Sequence, residues 1–231
     1  MARKAGGGGE GLSAAPPLSG PGLPPASGRP PRQVVVLLHG LAARGADVIG
    51  LAGLVRAALP EAEFVAPDAP FPYDENPELR QWFSVRDRAP EAMLAGARRA
   101  AALLDPTLDA ILEARGLDDS ALALAGFSQG AMMALHVGLR RKRPAAGIAA
   151  FSGSFLGAAP GEIVSRPPVL LVHGEKDGVV AFSSMGRARR TLRDAGVPVE
   201  SLARENLGHD VDAAGVSAAT RFLAQGFAAR A

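Results

Sequence analysis

From Val34 onward, short apolar runs alternate with longer segments rich in Ala, Leu and Arg that repeat with helical period. The run 34–38 is apolar at every position, as expected of a strand buried on both faces. Further strands are predicted over 63–66, 121–125, 147–151, 169–173 and 199–203. Helices are predicted over 47–59 (ended by Pro60), 91–115, 129–141, 183–195 and 212–229, and the Asp105-Pro106 pair should break the second of these. A proline-rich loop fills 67–77. Six strands separated by helices imply one doubly wound α/β domain over 32–231, its mostly parallel sheet covered on both faces. Residues 1–31 are dominated by Gly, Pro, Ala and Ser and offer little apolar surface to bury. They are expected to form a disordered tail.

In such a sheet ligands bind beyond the carboxyl ends of the strands, so the chemistry is sought just after each one. The strand 121–125 runs into Gly126-Phe127-Ser128-Gln129-Gly130 and then a helix. That is G-x-S-x-G, the sharp strand-to-helix elbow that lifts a serine hydroxyl above the sheet.

A serine nucleophile needs a base, and the chain has four histidines. His136 lies eight residues into the helix that follows Ser128, about 12 Å along its axis, out of hydrogen-bond reach. His39 and His173 each end an apolar strand before a glycine and are expected to shape turns. His209 stands in a loop between the last strand and the last helix, and by elimination it is the base. The third member is a carboxylate that orients the imidazole. Asp177 follows directly on the strand 169–173. Glu175 sits closer to the strand end as a turn residue, Asp194 and Glu200 lie in or beside regular elements, and Asp210 adjoins the histidine too closely to face its ring. The oxyanion requires two N–H donors. Gln129 N–H, at the helix start, and Leu41 N–H, in the small-residue loop after the first strand, are expected to supply them.

Composition narrows the alternatives. With 48% hydrophobic and 21% charged residues the chain suits a globular protein with one sizeable core. It has no cysteine, so disulfides, thiolate metal sites and thiol nucleophiles are excluded. A formal charge of +2 and the absence of a dense basic stripe argue against a nucleic-acid partner. The run Arg140-Arg141-Lys142-Arg143 reads as a helix C-terminus, where cations complement the dipole. There is no phosphate-binding or dinucleotide glycine motif, no histidine pair at ligand spacing, and Asp68 and Asp74 read as loop residues. No cofactor or metal is expected. No secretory signal or membrane-spanning run is seen, so the expected location is cytoplasmic.

The chain resembles the phospholipase/carboxylesterase family, which includes the acyl-protein thioesterases. The resemblance spans about 33–226. It rests on Leu38-His39-Gly40-Leu41, Gln81-Trp82-Phe83, the elbow, His173-Gly174 through Asp177 with Val179-Val180, and Gly208-His209. It implies an α/β-hydrolase fold without a large lid domain and cofactor-free cleavage of carboxylic esters or thioesters, with Ser128, Asp177 and His209 as the triad. The substrate would be a small or lipid-like ester or thioester, or an acylated protein. Two positions depart from the family: Ser84 stands where many members have aspartate, and Ala181 where many have proline. The segment 67–88 is expected to wall the acyl pocket, with Trp82 and Phe83 lining it unless they are core aromatics. An inert binding module, or an acyltransferase or peptidase on the same scaffold, are the competing readings.

Overall fold

The computed structural model describes residues 16–157 and 160–230. Its strands are β1 Gly22–Leu23, β2 Gln33–Leu38, β3 Ala62–Val65, β4 Phe71–Pro72, β5 Arg80–Gln81, β6 Leu122–Phe127, β7 Gly147–Phe151, β8 Val169–Gly174 and β9 Val199–Arg204. Seven of them form one sheet in the order β1-β3-β2-β6-β7-β8-β9, while β4 and β5 pair separately. All neighbours in the large sheet are parallel except β1, which runs antiparallel to β3 at the edge. The helices are α1 Gly45–Val48, α2 Gly50–Val55, α3 Pro90–Glu113, α4 Gln129–Gly138, α5 Ser183–Asp194 and α6 Ala213–Ala228. This is the α/β-hydrolase architecture, with no large lid among the described residues.

Period-two alternation divides the core. In β2, Val34, Val36 and Leu38 join the layer under α3, α4 and α5, which includes Leu104, Leu108, Met133 and Leu192. Val35 and Leu37 point the other way, to Ala52 of α2 and Phe222 and Leu223 of α6. Each such side chain contributes about 1.5–3 kcal/mol when fully buried, so a one-residue slip of β2 would forfeit both layers at once. The strand β2 leads to β3 on one side of itself, and β3 leads through α3 to β6 on the other. The crevice above the carboxyl ends of β2 and β6 is therefore the topological switch point.

Four expectations need correction. Residues 16–31 are part of the domain. Pro21 and Ser19 carbonyls accept the N–H groups of Ala66 and Asp68, both at 2.9 Å, and β1 extends the sheet. Low apolar content misleads here because the segment is held by backbone pairing to an otherwise open edge. The part of the predicted tail before residue 16 lies outside the described residues. Second, α3 runs unbroken through Pro106. Its buried face (Ala97, Ala100, Leu104, Leu108, Leu112) outweighs the roughly 3 kcal/mol cost of an interior proline. Thr107 Oγ1 donates to the Leu103 carbonyl at 2.8 Å and accepts the Leu18 N–H at 2.9 Å, tying the N-terminal segment to this point. Third, the predicted helix 47–59 is two short pieces that meet at Ile49. Fourth, α4 stops at Gly138, so the arginine run lies beyond it. Its arginines are ion-paired: Arg140 with Glu162, buried Arg141 with Asp105, Asp109 and Asp119, and Arg143 with Asp118. Among the described residues no helix is long and apolar enough to cross a membrane.

Candidate active site

Ser128 sits between β6 and α4 with φ 54° and ψ −117°. For a side chain other than glycine this left-handed conformation costs of order 1–3 kcal/mol, and surrounding packing must hold it. Both elbow glycines take part in that packing. A Cβ at Gly130 would overlap the Leu38 carbonyl of β2, and one at Gly126 would overlap the Gly130 carbonyl across the turn. The Ser128 N–H donates to the Phe151 carbonyl at 2.8 Å, so the elbow is pinned from both neighbouring strands.

His209 stands between β9 and α6, its ring 4.8 Å from that of Phe127. Its Nε2 lies 2.9 Å from Ser128 Oγ and its Nδ1 2.8 Å from Asp177 Oδ2. A carboxylate only accepts, so Nδ1 carries the proton and Nε2 is left to accept from the serine hydroxyl. The loop is fastened to the acid turn, where the Lys176 N–H donates to the Leu207 carbonyl at 2.9 Å.

Asp177 lies in the turn after β8 with its carboxyl buried. Its Oδ1 accepts the N–H groups of Val179 and Val180 at 2.9 and 2.8 Å. Burial pushes the carboxyl pKa up, but the bonds from His209, Val180 and Val179 together outweigh that and hold it below the ordinary range. Asp177 Oδ2 also lies 3.1 Å from His173 Nε2, which faces the Val180 carbonyl at 2.9 Å. Glu175, the rival in sequence, is exposed. The structure thus brings Ser128, His209 and Asp177 into one hydrogen-bonded chain.

Above the elbow opens a cleft of about 260 Å³ lined by Ser128, Gln129 and Leu41 together. Among the described residues neither the Leu41 nor the Gln129 N–H is taken up by a turn, loop or side-chain acceptor. Val85, Met93, Met132, Val179 and Val180 supply hydrocarbon walls. A second void, between α2 and α6 on the other side of the sheet, has no titratable side chain in its lining and cannot perform this chemistry.

Trp82 and Phe83 do not line the cleft. Both are buried in the core, with exposures of 0% and 1%. Their segment turns inward because the Gln129 side chain bonds to its backbone, accepting the Trp82 N–H and donating to the Phe83 carbonyl, each at 2.7 Å. Of the predicted wall 67–88, Val85 and Arg88 reach the cleft, and Val179 and Val180 supply much of the rest. These two valines directly follow the acid turn in sequence, a signal that could have identified them. Ser84 bonds Asp74 at 2.5 Å, whereas Ala181 lines the cleft. His136 is buried in α4 facing the Leu156 carbonyl, and burial, with Arg140 nearby, depresses its pKa to about 4.

The phospholipase/carboxylesterase family model matches residues 25–226. The chain is 28% identical over 187 residues to esterase YpfH of Escherichia coli, covering 80% of this chain and 78% of that protein. It is 28% identical over 213 residues to acyl-protein thioesterase 1 of Neurospora crassa, covering 83% and 85%. Among solved structures it resembles esterase PE8 at 40% identity and a TM-score of 0.86, covering 90% of this chain and 99% of that one. With the match spanning nearly the whole described domain, the chain belongs to the phospholipase/carboxylesterase family of hydrolases.

Proposed function

We propose that this protein is a serine hydrolase that cleaves carboxylic esters or thioesters through an acyl-enzyme intermediate. The observation that carries the reading is the continuous chain from Ser128 Oγ through His209 to Asp177, with links of 2.9 and 2.8 Å, at a strained elbow. Ser128 Oγ attacks the carbonyl carbon while His209 Nε2 takes its proton. Asp177 fixes the tautomer and stabilises the imidazolium that forms. The negative charge that develops on the carbonyl oxygen is received by the N–H groups of Leu41 and Gln129. The imidazolium then gives its proton to the departing alcohol or thiol. Water, deprotonated by the same histidine, attacks the acyl-enzyme, releasing the acid and restoring Ser128.

The hydrocarbon walls suit a substrate with an apolar acyl or alcohol part, including lipid-like esters and acylated proteins. Against an inert binding module stands the complete hydrogen-bonded triad. An acyltransferase or peptidase would use the same groups with another acceptor or leaving group.

The test is labelling with a fluorophosphonate alongside hydrolysis of p-nitrophenyl esters and acyl thioesters. One adduct on Ser128 is expected, with turnover abolished in Ser128→Ala. Labelling that persists in that variant, or a folded protein that never labels, would overturn the nucleophile. Competing alcohols, amines and peptides in the same assay separate transfer and peptidase activity from hydrolysis.

A further inference from the structure

His39 and Trp82 are fully buried and neither lines the cleft, yet their ring nitrogens hold the carbonyls of two successive residues, Gly40 and His39. The Leu41 N–H belongs to the peptide unit whose carbonyl is that of Gly40. A trans peptide is planar, with its C=O and N–H pointing in opposite directions, so holding one aims the other. His39 Nδ1 lies 2.7 Å from the Gly40 oxygen. A carbonyl cannot donate, so Nδ1 carries the hydrogen. The Ala69 N–H donates to Nε2 at 2.9 Å, so Nε2 must keep its lone pair. The ring is thus locked as one neutral tautomer, consistent with a pKa lowered chiefly by burial.

The carbonyl one residue earlier is held as well. Trp82 Nε1–H donates to the His39 oxygen at 2.9 Å, with the two rings 5.5 Å apart. The Trp82 backbone is in turn clamped by the Gln129 side chain, and Gln129 supplies the other N–H of the proposed oxyanion hole. The frame therefore runs from one donor to the other. It answers a local weakness. A Cβ at position 40 would press on the Phe127 ring at 3.3 Å, so a glycine sits there, and glycine leaves its adjoining peptide free to rotate.

Building on the serine-hydrolase reading above, we propose that His39 and Trp82 are positioning residues that aim the Leu41 N–H at the oxyanion, with the Gln129 side chain closing the frame. They touch no substrate. Their effect is on the transition state.

The test compares Trp82→Phe, His39→Leu and His39→Asn in the full chain, with Ser128→Ala as control. Readouts are kcat and KM for p-nitrophenyl butyrate, binding of an alkyl trifluoromethyl ketone that forms a tetrahedral oxyanion on the serine, and the melting temperature. Losing an oxyanion donor outright costs about 10²–10³ in kcat, so misaiming one should cost roughly 10- to 100-fold. That loss is expected in Trp82→Phe and His39→Leu, with KM nearly unchanged and the trifluoromethyl ketone weakened by a similar factor. His39→Asn, whose amide nitrogen can stand near the position of Nδ1, should recover most of it. If His39→Leu does not fold, Trp82→Phe still carries the test, because it keeps an aromatic ring and lacks the N–H. Unchanged kcat in folded Trp82→Phe, or a kcat loss without weaker ketone binding, overturns the proposal. If Ser128→Ala is inert while Trp82→Phe behaves as wild type, only the frame falls. If Ser128→Ala still turns over, the hydrolase reading falls and takes the frame with it.

Discussion

The proposed nucleophile, Ser128, and its proposed base, His209, are held in opposite ways. Ser128 is fixed by backbone packing within its own motif, where Gly126 and Gly130 let the turn lie directly on β2. His209 is fixed by its neighbours. Gly208 beside it has open space, with nothing nearer to an added Cβ than 3.9 Å, whereas a Cβ at Gly174 on β8 would overlap the carbonyls of Leu207 and Gly208. The elbow thus carries its glycine constraints within its own motif, while β2 and β7 supply the backbone it packs on. The histidine loop is a tertiary object whose constraints lie on the strand and turn that carry the acid.

The largest test of this contrast is Asp177→Asn. The amide favours the wrong histidine tautomer and should lower kcat by about 10⁴-fold while the circular dichroism spectrum stays native. Glu175→Gln, two residues away and exposed, should have little effect. A reversal of the two would place the acid at Glu175. Next in size is Gly130→Ala, where the added methyl must displace β2 backbone. It should cost about 3 kcal/mol in urea titration, at the upper end for overpacking, and remove most activity. Gly174→Ala should do similar damage to activity from 35 residues away in sequence from His209. Gly208→Ala, although adjacent to the histidine, should change stability by less than about 1 kcal/mol. Equal effects at 130 and 208 would erase the distinction.

A pH test separates the elbow's helix from the loop. The unfolded chain protonates His136 near about 6.5, and the folded protein only near about 4. Between those values the unfolded state binds the extra proton, so stability is greatest above the window, falls as pH drops through it, and levels off below. The His136 share of that fall is about 3 kcal/mol. His39, whose pKa is also lowered by burial, adds a further part in the same direction. Unfolding measured from pH 7 to 4 should show a shallower slope in His136→Gln. An unchanged slope would exclude it as the source.

The smallest expected effect comes from deleting residues 1–31. Removing β1 and the half-buried Leu18 and Leu23 should cost about 2 kcal/mol, or roughly 4–8 °C in Tm, with little change in kcat/KM. A Tm identical to wild type would mean that the edge strand contributes nothing.

The elbow is legible because its requirements are contiguous in the chain: an apolar strand, then two glycines and a serine within five residues, then a helix. Asp177 is singled out by its place after a strand and His209 by elimination among four histidines, and the fold brings both into a hydrogen-bonded chain with Ser128. Trp82 and Phe83 show where such reading ends. An aromatic pair in a loop before a helix is compatible with a pocket wall or a core. Only the hydrogen bonds to Gln129 and His39, 43 to 47 residues apart in the chain, turned it inward. The N-terminal segment differs from its expected state for the same reason, since much of its anchoring is backbone hydrogen bonding, which leaves little trace in side-chain type.

By itself the sequence determined the strand and helix alternation, the parallel sheet and the elbow motif, and it singled out Ser128, Asp177 and His209, which the fold brings into hydrogen-bond contact. These follow from side-chain period and from turns whose constraints act over a few residues. Tertiary structure alone decided which side chains wall the cleft, which glycine guards the histidine loop, how the edge strand is recruited and which ring holds the Gly40 carbonyl. Those outcomes depend on backbone carbonyls and amides meeting across distant segments, and every residue type except proline carries both groups, so the residue names do not encode where they meet.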